Sequence, residues 1–126
     1  MKSIVREKRI QKSGSPYFNL ELPTIAASGV KAYMVTDVDE AARKYLPLDS
    51  IEVTNLSTVD VTLCLDDGDI FIVPHSTIKS IEDKPFRRFK VTNRDAINET
   101  GANKILIQMQ RLPITIDTWI RKFKLR

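Results

Sequence analysis

Apolar and polar residues alternate in short runs over most of this chain. In YFNLELP, Phe18, Leu20 and Leu22 fall on one side and Tyr17, Asn19 and Glu21 on the other, which predicts a half-buried strand ending at Pro23. TIAASG then reads as a loop and VKAYMVT as a second extended run. From Ser50 to Arg111 the pattern becomes uniform. IEVTN, VDVTLCL, DIFIVP, STIKSI, FRRFKVTN and KILIQMQ are short, rich in β-branched and aromatic residues, and divided by turn residues. No helical periodicity intervenes among them, so the expectation is a mainly β chain, an antiparallel sandwich or barrel rather than βαβ units. The longest loop is NRDAINETGAN, between the last two of these runs.

One segment departs from the alternation. Val38, Ala41, Ala42 and Tyr45 are spaced at i, i+3, i+4 and i+7, and Asp37 with Glu40 forms a D-x-x-E variant of the capping box. A helix over 37–45 is predicted, ending before Pro47 because a residue preceding proline avoids the helical conformation.

The stretch VTLCLDDGDIFIVP predicts a hairpin. With Asp67-Gly68 as a two-residue loop, Leu65 faces Ile70 and Leu63 faces Ile72 on one apolar side, while Cys64 faces Phe71 on the other. Such a hairpin is apolar on both sides and needs two covers: the opposite sheet and an arm or neighbouring subunit. Asp66 and Asp69 then flank the turn as solvated carboxylates. The calcium-loop spacing of oxygen donors is missing, and adjacent residues at a hairpin tip do not supply the separated pKa values that paired catalytic carboxylates need.

Charge adds a second feature. With 126 residues the chain fits one domain, and its net +4 is unevenly spread. Residues 1–15 carry Lys2, Arg6, Lys8, Arg9 and Lys12 against Glu7, and close on a Ser-Gly-Ser-Pro breaker; residues 114–126 carry Arg121, Lys122, Lys124 and Arg126 against Asp117. The expected organisation is therefore a basic N-terminal arm (1–15), a mildly acidic β-sandwich body (16–113) and a basic C-terminal segment (114–126), whose ITIDTWI alternates as a strand at its start although Ile116, Trp119, Ile120 and Phe123 also fit a helical stripe. Such arms suit an acidic neighbouring subunit, nucleic acid or a membrane surface. No secretory core and no uninterrupted apolar run of about 18 residues occurs, so neither a signal peptide nor a membrane span is expected.

Candidate chemistry is sparse. Cys64 has no partner cysteine, and His75, the only histidine, follows Pro74 at a strand break, so no Ser-His-Asp or Cys-His arrangement and no cysteine-based metal cluster can be built. Four glycines form no phosphate-binding loop. The sequons at Asn55 and Asn98 are read as chance matches. PFRRFKVTN is the one surface candidate: strict alternation puts Phe86, Arg88 and Lys90 on one face, a cationic and aromatic platform of the kind on which single-stranded nucleic acid stacks. No cofactor and no enzymatic activity is expected.

From Ile51 to Gln110, IEVTN, the aspartate-glycine turn, FIVP, PFRRFKVTN, a glycine-containing loop and KILIQMQ together resemble small β-sandwich structural proteins of bacterial and archaeal viruses. The resemblance implies a jelly-roll-like sandwich that assembles, with copies of itself and other virion proteins, into a capsid or another virion part after synthesis in the host cytoplasm. Its interaction surface would comprise Lys2, Arg6, Lys8 and Arg9 of the first arm, with Phe86, Arg88 and Lys90, and Trp119, Arg121 and Lys122 of the last segment. The alternative is a nucleic-acid-binding β-barrel using the last six of these.

Overall fold

The computed structural model describes residues 14–112. The bulk of both basic segments, 1–13 and 113–126, lies outside the described residues, and with it the expected strand at ITIDTWI. The chain enters through β1 (Phe18–Glu21) and β2 (Val30–Met34), passes a single helical turn, α1 (Val35–Val38), and a 3-10 helix (Glu40–Tyr45). It continues through β3 (Leu48–Asn55), β4 (Val61–Leu65), β5 (Asp69–Val73), β6 (Thr77–Phe86), β7 (Arg88–Asn93) and β8 (Ile105–Gln110).

Two four-stranded sheets result, in the orders β1-β8-β3-β6 and β2-β7-β4-β5, and every pairing is antiparallel. The antiparallel β-sandwich expected from the strand spacing is therefore the fold. Its pairing is nested. The first strand lies beside the last, the second beside the seventh, the third beside the sixth and the fourth beside the fifth. The path is that of one long hairpin folded over onto itself. This order collects the β2–β3 helical passage, the β4–β5 tip, the β6–β7 turn, and residues 14 and 112 at one end, the arm end. The other four connections meet at the opposite, loop end.

Alternation explains the core. Ile51, Val53, Ile107 and Met109 of the first sheet, and Val61, Leu63, Phe89 and Val91 of the second, point inward and are almost fully buried, as period-2 strands with one apolar side require. Each such side chain removed from water contributes about 1.5–3 kcal/mol. Leu22, Ile25, Val35, Ala42 and Leu48 close the ends of the same core.

Two local expectations are corrected. The single helix over 37–45 is instead two short pieces, because Asp39, not Asp37, caps. Asp39 is extended (φ −153°, ψ 117°) and its carboxylate accepts from the Ala41 N–H at 2.9 Å, which restarts the chain as a 3-10 helix. Glu40 turns to Arg43 (2.6 Å) rather than back to a cap. The passage does stop at Tyr45, before Leu46-Pro47.

The hairpin register is also shifted by one residue. Leu65 pairs with Asp69, Leu63 with Phe71 and Cys64 with Ile70, around a three-residue loop in which Asp66 and Asp67 both take positive φ (51° and 58°). A one-residue slip exchanges the two faces. Leu63 thus packs inward with Phe71, while Ile70 and Ile72 stand on the outer face, 67% and 50% exposed. The hairpin is still apolar on both sides.

Candidate association surfaces

Antiparallel pairing of β1 with β8 brings the two chain ends together. The Ser15 N–H donates to the Arg111 carbonyl at 2.9 Å, and the Arg111 N–H donates to the Ser15 hydroxyl at 2.7 Å. The Leu112 N–H donates to the buried Asp49 carboxylate at 2.7 Å. Whatever precedes Gly14 and follows Leu112 therefore starts from one corner of the sandwich. Lys2, Arg6, Lys8, Arg9, Trp119, Arg121 and Lys122 all belong to those segments, outside the described residues.

The aspartates of the hairpin tip have separate tasks at this same end. The Asp66 carboxylate accepts from the backbone N–H groups of Arg87 (2.9 Å) and Arg88 (3.1 Å), tying the β4–β5 tip to the β6–β7 turn. Asp67 faces Arg88 at 2.6 Å and Lys90 at 3.7 Å, and Asp69 faces Lys84 at 3.5 Å. Asp66 and Asp69 do not oppose each other across the turn as expected. These carboxylates satisfy backbone donors and neighbouring cations, with Arg88 and Lys90 lining a shallow depression beside Met34 and Cys64.

The aromatic platform is corrected by the same geometry. Phe86 is fully buried, as is Phe89 to within 2%, whereas Arg88 and Lys90 point outward. Strict alternation failed because PFRRFKVTN is not one strand. Phe86 ends β6 in the first sheet, the chain crosses at Arg87, and Arg88 begins β7 in the second. Both phenylalanines are core residues, and Tyr33 stacks on Phe89 inside the second sheet (5.6 Å between centroids, 30°), where burial raises the phenol pKa.

The outer faces of the two sheets differ in chemistry. That of the second sheet carries four exposed apolar side chains along its edge strands, Val30, Met34, Ile70 and Ile72, with Arg88 and Lys90 between them. That of the first is mostly polar, with Asn19, Glu21, Glu52, Glu82, Gln108 and Gln110 beside Leu106 and the exposed Ile78. The glutamates were legible as outward residues by parity, but their relation across strands was not.

Polar side chains at the loop end serve the fold. Asn55, Asn93 and Thr100 are buried and hydrogen-bonded to loop backbone, and Asn55 is thereby spoken for despite its sequon. His75 is exposed, as expected, with Nδ1 at 2.9 Å from Asp60. Cys64 is buried. Among the described residues no three His, Cys, Asp or Glu side chains converge as a metal site, and no helix is long and apolar enough to cross a membrane. Comparison with protein-family models, curated proteins and solved structures finds no match for this chain.

Proposed function

We propose that the protein is a virion structural component, a jelly-roll sandwich that associates with copies of itself and other virion proteins through its sheet faces and terminal arms. The observation that carries this reading is the nested strand order, β1-β8-β3-β6 against β2-β7-β4-β5. Two interlocked antiparallel halves of this kind make up the jelly rolls of capsid and lectin domains. A common corner for both basic segments supports it further, since one neighbour can then be gripped by two arms. In this reading the function is assembly, with no reaction catalysed, and the site of action is the virion.

The nucleic-acid-binding alternative combines Phe86, Arg88 and Lys90 with Trp119, Arg121 and Lys122, the last three outside the described residues. With Phe86 in the core and Asp67 against both cations, that strand offers no stacking ring. The test is molar mass by light scattering on a size-exclusion column at low and high salt, with absorbance at 260 and 280 nm and electron microscopy of the eluted peak. A discrete nucleic-acid-free oligomer or particle supports assembly. A monomer that carries nucleic acid at low salt and sheds it at high salt, as counterion release dictates, overturns it.

A further inference from the structure

The outer face of the first sheet carries charge of one sign, arranged in a line. Register places Glu21 in a row with Leu106 and Ile78, Glu52 in the next row beside Gln108, and Glu82 in the third. With strands about 4.8 Å apart and alternate residues about 6.7 Å apart, Glu52 lies about 8 Å from Glu82 and about 12 Å from Glu21 at the backbone. The three form a diagonal across all four strands. No lysine or arginine occupies these rows, and none of the three glutamates has an ion-pair partner among the described residues.

The segment before Gly14 complements that diagonal. Laid extended, it puts Ile4, Arg6, Lys8, Ile10 and Lys12 on one side, with its single acid, Glu7, on the other. Arg6 and Lys8 are then about 6.7 Å apart and Lys8 and Lys12 about 13.5 Å. These intervals correspond to Glu82–Glu52 and Glu52–Glu21. Ile10 on the same side, between Lys8 and Lys12, can cover Leu106.

Laid backbone over backbone, the arm of the same chain falls short of this match. From Lys12 to Ser15 the backbone spans at most about 11 Å. From Ser15, held on Arg111, to Glu21 the run of β1 covers roughly 20 Å. The outer face of the second sheet is no substitute, because Arg88 and Lys90 there repel a basic arm.

We infer that the outer face of the first sheet receives the N-terminal arm of a second copy, with Glu82, Glu52 and Glu21 taking Arg6, Lys8 and Lys12. The inference rests on the self-assembly reading and names its contact. Two full-length variants test it, the face variant E21K/E52K/E82K and the arm variant R6E/K8E/K12E, each checked for folding by circular dichroism. Light scattering at low salt is expected to show self-association weakened by about tenfold or more in each variant. An equimolar mixture is expected to recover it, because each variant supplies the surface that the other has lost. Association of the natural chain that is indifferent to E21K/E52K/E82K, or two weakened variants that do not recover on mixing, overturns this contact and leaves assembly standing. A natural chain that stays monomeric overturns the assembly reading itself.

Discussion

Asn55 and Asn93 hold the loop end of the sandwich in the same way, one from each sheet. Each is the last residue of its strand, each is almost fully buried, and each donates its side-chain amide to three carbonyls. For Asn55 these are Val59 (2.9 Å), Val73 (3.1 Å) and Pro74 (3.3 Å); for Asn93 they are Asn98 (2.8 Å), Ala26 (3.2 Å) and Ile25 (3.3 Å). Each side-chain oxygen accepts the N–H two residues on, from Ser57 and Asp95. Replacing either by alanine strands buried carbonyls, so Asn55→Ala and Asn93→Ala are each expected to lower unfolding free energy in urea by about 2–4 kcal/mol. Asn98→Ala keeps the backbone acceptor and removes only an exposed side chain, and is expected to stay within about 0.5 kcal/mol. Equal losses in all three would remove the distinction.

The three aspartates of the hairpin tip are expected to separate in the same assay. Asp66 satisfies two backbone N–H groups of a different turn, so Asp66→Ala should destabilise by about 1–2 kcal/mol, the range of a lost cap. Asp67→Ala and Asp69→Ala remove exposed ion pairs and should each change stability by under about 1 kcal/mol. If Asp69 proved the most costly of the three, the observed register would be in question.

Phe86 offers a sharper contrast between readings. As a fully buried ring, its truncation in Phe86→Ala should cost about 3–5 kcal/mol of stability. A surface stacking residue would instead leave stability within about 0.5 kcal/mol and weaken binding to single-stranded nucleic acid. Thermal unfolding of this variant beside Arg88→Ala decides between them.

These corrections share a physical origin. Alternation within a strand is local, which is why the strands from IEVTN to KILIQMQ and their inward residues were readable from the chain. What positions the turns is not local. Asp66 leaves its strand because amides of Arg87 and Arg88, more than twenty residues on, are available to it. Phe86 turns inward because the chain changes sheets at Arg87, a step that no pattern within PFRRFKVTN marks. Asp37 and Asp39 offer the same capping chemistry two residues apart, and packing of Val35 and Ala42 into the core decides between them. Glu21, Glu52 and Glu82 are each outward by parity, yet they form a line only because β1 lies next to β8 and β8 next to β3.

Acid should loosen the loop end first. The Asp60 carboxylate accepts from the backbone N–H of His75 (2.8 Å) and then from its ring, and both bonds hold its pKa below the ordinary carboxylate value. Asp95 is lowered chiefly by the backbone N–H of Asn98 (2.8 Å) and that of Ile97 (2.7 Å). Because the folded-state pKa lies below the unfolded one, each contribution is fully present above the unfolded value. It is lost as pH falls through the folded value, over a window that opens at about pH 5. Asp95→Asn has no charge to lose. The variant is therefore expected to melt below the natural protein at pH 7, with the gap narrowing as pH is lowered toward about 2, where the natural carboxyl is protonated too. Short hydrogen bonds to backbone cause the shift, so about 0.5 M salt should leave most of that pH-dependent gap in place. A melting-temperature difference that stays constant from neutral to acid pH would show that the Asp95 charge has no part in holding the β7–β8 loop.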